Sequence, residues 1–409
     1  MEKLKRCQVM RKGVRRCRID KPRAVCYTRK KRRRGGLQAN FGGIFMNRLS
    51  DAPVRAERGR VAYLDMLRIA ATVAVVMIHV AVRGWRSMDM HTAQWHALSF
   101  FGSISRWGTP IFVMISGALF LDERREVRLR RLFSKNILRI LIAFVFWSAV
   151  YAVPFFLRDR SVFGLISNFL TGSYQLWFLY MIVGLYLITP LLRRITSDRS
   201  ALNYFLLLSL CFTFLLPMLG KAIRLADILL HKDGALYAGL TTGYSNMKFY
   251  FTLGYVPYFL LGHALNTTQL SKKVERVIYA LGLLGFAATV WGTEWLSRSL
   301  GAPCKGFLDE MTLNVLLQSA AVFTFAKCRL SAACSGKRGS AVVRSLSKCS
   351  FGIFLVHPGV LSILERLGFR ASAFPAAIGA VVVTAGIFAI SYGLSAILNA
   401  IPIVKKYLV

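Results

Sequence analysis

The sequence predicts an all-α, polytopic integral membrane protein of about ten transmembrane helices, with both termini in the cytoplasm. Three observations carry this. Apolar segments of about 20 residues, the length that crosses a bilayer, recur along the chain with short polar breaks. Mean hydropathy is +0.48 and 55% of the 409 residues are hydrophobic, more apolar surface than the few amphipathic stretches could cover in a soluble core. Lysine and arginine are also denser in alternate loops, as the positive-inside rule requires.

Residues 1–60 form a basic tail. Residues 1–45 hold 16 Lys/Arg against Glu2 and Asp20 and lack the apolar core of a secretory signal. Three readings of KKRRRGG (30–36) stand side by side. It can bind anionic lipid or RNA, it can be disordered charge that holds the N-terminus inside, or it can precede a true start at Met46. The rest of the +37 net charge falls mostly in short loops, where it fixes topology, so nucleic acid is not an expected partner. The membrane domain is expected over 61–401, followed by a short cytoplasmic tail, 402–409.

Within that domain the apolar runs place spans at 62–82, 97–121, 137–157, 174–192, 202–220, 249–266, 276–297, 311–328, 342–364 and 374–400. With the N-terminus inside, the inner loops carry 19 Lys/Arg and the longer outer loops 12, which sets the orientation. The Thr109-Pro110 pair removes a backbone hydrogen bond inside the second span, a break tolerated where it is buried in protein or lines a cavity. No repeat or inverted symmetry relates the two halves, which counts against a secondary transporter. The eight cysteines include no CxxC pair and no Cys/His metal spacing, so reduced thiols and no structural metal are expected.

The first span, YLDMLRIAATVAVVMIHV, carries three costly residues. Eleven residues make three helical turns plus about 20°, so Arg68 and His79 share a face roughly 16 Å apart. Thr72 and Asp65 fall on the same stripe, which must face protein or water. Asp65 and Arg68 read either as an interfacial ion pair or as part of a site. His79 reads as a satisfied interior histidine or as a general base, since imidazole titrates near neutrality. Arg106, just before the proline break, either snorkels to the interface or stabilises negative charge. Ser116-Gly117 suits close helix packing. Lys135 and Arg139, at the head of the third span, are topology signals or phosphate ligands. His357 lies inside the ninth span, beside Pro358. His263 and Glu294 lie near span ends, where charge is cheaper.

Five blocks in order resemble the integral-membrane acyltransferase family 3, which includes O-antigen acetylases and the enterobacterial-common-antigen O-acetyltransferase. They are LDMLRIAATVAVVMIHV, SRWGTPIFVMISGALF, KNILRILIAFVFWS, YQLWFLYMIVGLYLITPLL and SFGIFLVHPGV, and the resemblance covers most of 60–400. It implies transfer of an acyl group, usually acetyl from acetyl-CoA, onto a hydroxyl of a sugar in a surface polysaccharide, glycolipid or lipid-linked precursor, by a multi-pass protein of the inner membrane. Acetyl-CoA is then a co-substrate, with no permanently bound cofactor. Arg68 and His79 correspond to the family's essential Arg–His pair, and Arg139 to the second arginine of its Arg-x-x-Arg motif. The first position of that motif is Asn136 here, with Lys135 beside it. The expected catalytic residues are His79, Arg68 and Arg106; the expected substrate-binding residues are Asp65, Lys135, Arg139, Ser116, Trp177 and His357. A covalent acyl-histidine is the second mechanism, and a transporter or flippase of lipid-linked or polymeric sugar is the rival reading.

Overall fold

The computed structural model describes residues 61–409, apart from 87, 126–127, 231–233, 247–253 and 331–336; the side chains of 159 and 337–340 also lie outside the description. The basic tail and Met46 therefore lie outside the described residues. Helix makes up 83% of what is described, with no strand.

In chain order the helices are α1 (Ala62–Trp85), α2 (Ala93–Ile104), α3 (Gly108–Phe120), α4 (Leu138–Asp159) and α5 (Val162–Thr171). There follow α6 (Trp177–Thr196), α7 (Arg199–Ser209), α8 (Leu216–Leu229), α9 (Ala235–Asn246) and α10 (Val256–Thr267). The last are α11 (Lys272–Leu300), α12 (Leu313–Phe325), α13 (Lys337–Arg366), α14 (Ala376–Ala400) and α15 (Pro402–Tyr407). A π-helical turn, Leu132–Ile137, leads into α4, and another, Leu210–Leu215, joins α7 to α8.

Seven helical stretches are long and apolar enough to cross a membrane: Ala62–Trp85, Leu129–Arg158, Trp177–Thr196, Arg199–Leu229, Lys272–Leu300, Ala341–Ala373 and Ala376–Ala400. They coincide with seven of the ten expected spans. The other three expected spans, 97–121, 249–266 and 311–328, hold shorter helices among the described residues: α2 and α3, α10, and α12. The second span divides at Ser105–Trp107, and the helix restarts so that Pro110 falls in the first turn of α3, where no N–H is needed.

These short helices are interior. A Cβ on Gly117 of α3 would lie 1.8 Å from the Phe259 carbonyl oxygen, and one on Gly262 of α10 would lie 2.1 Å from that of Met114. Two glycines thus let α3 and α10 touch backbone to backbone, the small-residue packing that replaces a hydrophobic drive inside a membrane. Gly117→Val is expected to force the pair apart, costing at least the ~1–3 kcal/mol typical of overpacking. Thermal denaturation of the detergent-solubilised variant checks this, and an unchanged midpoint contradicts it.

The apolar windows of α1 and of the α13 stretch are 61% and 67% buried, against 22–33% in the other five, so these two helices form the protein's interior. The others turn large side chains such as Leu191, Leu283 and Trp291 outward, as lipid-facing helices do. Contacts between α1 and α13 keep a nearly constant sequence offset. It is 282 for Asp65–Ser347, 279 for Arg68–Ser347, 278 for His79–His357 and 279 for Arg83–Ser362. Only parallel helices in register do this.

Candidate active site

Near the N-terminal end of α1, Asp65 is buried and accepts from Ser347 Oγ at 2.6 Å and from Arg68 Nη1 at 3.3 Å. Arg68 Nη1 also donates to Ser347 Oγ at 3.1 Å, closing a triangle that ties α1 to α13. Thr72 Oγ1 donates back to the Arg68 carbonyl at 2.7 Å, so its hydroxyl is spent within the helix.

Arg68 lines a cavity of about 800 Å³, inside the ~300–1,000 Å³ range of small-molecule sites. Lys135, Arg139 and Lys406 line it as well, so four cationic side chains share one chamber. Arg139 additionally donates from Nη2 to the main-chain oxygen of Val409 and lies over the Phe351 ring, with Cζ 5.7 Å from its centroid. Ser116 lines the cavity with its hydroxyl bonded to the Phe112 carbonyl at 3.0 Å. A second recess of about 540 Å³, lined by Arg128, Arg130 and Arg131, shares Ser134 and Lys135 with the first.

One face of α13 runs along this chamber at helical spacing: Ser347 at Arg68, then Ser350 and Phe351, then Phe354, then His357. Phe354, Phe112 and Phe178 form a collar of mutually touching rings, with centroids 6.4, 6.0 and 5.4 Å apart. All three line the cavity; neither histidine does.

One turn past the collar, His79 Nδ1 lies 2.8 Å from His357 Nε2, and the rings stack at 5.0 Å. His357 Nδ1 lies 3.1 Å from the Ile353 carbonyl. A carbonyl only accepts, so His357 carries its proton on Nδ1 and offers its Nε2 lone pair to His79 Nδ1–H. That assignment leaves the lone pair of His79 on Nε2.

The helix carries a proline and an outside hydroxyl at this point. Pro358 lacks an N–H, and the Tyr151 hydroxyl donates to the Leu355 carbonyl at 2.7 Å while accepting from Gly359 N at 3.3 Å. A side chain inserted between two partners of the helical ladder is a recognised cause of a local kink. The buried His357 lies within the turn that Tyr151 bridges.

Beyond His79, the Tyr174 ring meets it edge-on at 5.0 Å, and Arg83 lies 5.8 Å over Tyr174 while bonding Ser362 and Glu365. Arg106 is 6% exposed rather than snorkelling outward, and its Nε has no hydrogen-bond partner among the described residues. The carboxylates acting on it are Glu310 and Asp309, from the loop between α11 and α12. Burial pushes the Glu310 carboxyl above the usual range, with Arg106 the main opposing influence.

The structure thus brings Arg68, Ser116, Lys135 and Arg139 into one chamber and joins His79 to His357. Asp65 lies behind Arg68 rather than on the cavity wall. Trp177 is 41% exposed and packs on Tyr255 and Phe178, also off the wall. Among the described residues Arg106 makes no hydrogen bond with either histidine, although its charge acts on His79. Sequence reasoning missed Ser347, Tyr151, Lys406 and Gln175. Ser347 lies ten residues before His357, one fewer than the Arg68–His79 spacing, so the two pairs meet at nearly the same levels of the two helices.

The family model described as "Acyltransferase domain" matches residues 61–398. No curated protein and no solved structure matches the chain.

Proposed function

The chain belongs to the integral-membrane acyltransferase family 3, and from that premise we propose that it moves an acetyl group from acetyl-CoA to a sugar hydroxyl. The acceptor is a surface polysaccharide, a glycolipid or a lipid-linked precursor, and the site of action is the inner membrane. The observation that carries the reading is the relay from Ile353 through His357 to His79, which presents His79 Nε2 as a proton acceptor beyond a cationic chamber.

In the proposed reaction the acceptor oxygen attacks the thioester carbonyl carbon as His79 Nε2 takes the hydroxyl proton. The C–O bond forms, the carbonyl electrons collect on oxygen, and their return breaks the C–S bond. The leaving thiolate takes the proton from His79, which restores the neutral imidazole and releases CoA. Arg106, buried with an unspent N–H, is the candidate to stabilise the oxyanion. At the other end Arg68, Lys135, Arg139 and Lys406 suit the phosphates of CoA. The extended pantetheine arm then spans the roughly 16 Å between the levels of Arg68 and His79.

Purified protein in lipid vesicles, given acetyl-CoA and a membrane extract as acceptor source, should release CoA thiol only when the extract is present. Movement of sugar across the vesicle without thiol release would support the transport reading instead. Arg68→Gln is expected to raise KM for acetyl-CoA by about 10–100-fold with little change in kcat, the worth of one charged hydrogen bond lost from ground and transition state alike. Steady-state kinetics with varied acetyl-CoA check this, and an unchanged KM contradicts it.

A further inference from the structure

Gln175 stands out among the buried polar groups. It is 1% exposed, and neither its Nε2 nor its Oε1 finds a hydrogen-bond partner among the described residues. A buried carboxamide with both ends unspent is rare, because each end forfeits its bonds to water. Its position gives that unspent capacity a direction. The cavity-facing residues of α6 are Tyr186, Ile182, Leu179 and Phe178, a stripe at helical spacing. The turn that precedes α6 is tightened by a bond from Phe178 N to the Gln175 carbonyl, 3.4 Å, which stacks Gln175 over Phe178. Gln175 is therefore the next step of the stripe, past the collar to which Phe178 belongs. Its chain neighbour Tyr174 touches His79.

From this placement we infer that Gln175 is a donor-binding residue that pairs with the amide nearest the thioester of the acyl-CoA arm. The inference rests on the acyl-CoA reading given above. That amide has one N–H and one C=O and lies two methylenes from the sulfur. When the thioester carbon is at His79 Nε2, the amide trails back toward the collar, where the Gln175 carboxamide offers the complementary C=O and N–H. A side chain with only a donor or only an acceptor satisfies half of an amide; a carboxamide satisfies both halves. The pairing would also explain why this buried turn keeps an otherwise costly side chain.

Two small thioesters test this: S-acetyl-N-acetylcysteamine, which carries the amide, and S-acetylpropanethiol, which does not. Both lack the nucleotide, so the cationic chamber contributes equally to each. Wild-type protein should favour the amide-bearing donor in kcat/KM by about 10-fold or more, because the other leaves Gln175 unpaired. In Gln175→Met, of similar length and without polar atoms, the ratio should fall to within about threefold of unity. The ratio does not depend on how much protein folds. A wild-type ratio near unity, or the wild-type ratio retained in Gln175→Met, overturns the inference and leaves acyl transfer standing. An unchanged donor ratio with a raised KM for the glycan acceptor also overturns it, placing Gln175 on the acceptor. No thiol release by wild type from any donor, acetyl-CoA included, overturns the acyl-transfer reading itself.

Discussion

His79→Ala is expected to lower acceptor-dependent CoA release by about 10²–10⁴-fold, the usual contribution of a positioned general base. The loss should appear in kcat, since the proton moves only as the acceptor attacks. The fold should survive. His79 is half-buried, and its removal strands one nitrogen of His357, a cost of about 1–3 kcal/mol against the ~5–15 kcal/mol that holds a typical domain. Immunoblotting of membranes for equal abundance, alongside thiol release, separates catalysis from folding. Wild-type transfer at equal abundance contradicts the assignment.

His357 has the second-largest expected effect. The residue does not line the cavity; in the proposed reaction it acts through His79, fixing its tautomer and its ring plane. His357→Leu removes the acceptor for His79 Nδ1–H, and the imidazole can then place its proton on the reacting nitrogen. A fall of about 10²–10³-fold in kcat is expected, with KM for acetyl-CoA nearly unchanged; tautomer loss in a serine-protease triad costs about 10⁴. His357→Gln keeps an oxygen that can accept from Nδ1–H and should recover at least about tenfold over the leucine variant. If both substitutions lose activity alike while abundance stays constant, His357 packs the helix and does not orient the base.

The sequence made α1 unusually legible because helical arithmetic is local. Arg68 and His79 fell on one face by spacing alone, and the structure has both meet α13, at Ser347 and His357. The seven long spans were legible for the same reason, since continuous hydropathy is a property of one segment. What escaped depends on pairs distant in the chain. The His79–His357 contact joins residues 278 apart, and no periodicity reports that. Asp65 pairs with Arg68 one turn on, as the spacing allowed, but its bond to Ser347 lies beyond any local pattern. The α3–α10 contact needs Gly117 and Gly262 together. Interior helices can be short because protein rather than lipid surrounds them, and a hydropathy window does not see that. Trp177 was placed at the site through its motif, yet Gln175, Phe178 and Leu179 occupy the inward face of that turn. Tyr151 bonds Leu355 and Gly359, on either side of Pro358 in another helix, a pairing that no local pattern reports.

A single-turnover experiment tests most directly whether His79 works as a base. Wild-type protein is mixed with acetyl-labelled acetyl-CoA, without and then with acceptor, and quenched for thiol measurement and peptide mass spectrometry. Without acceptor, the account predicts no burst of CoA and an unmodified His79 peptide; with acceptor, CoA and acetylated product should rise together, one for one. A burst of one CoA per protein before acceptor is added, with the label on His79, would contradict it.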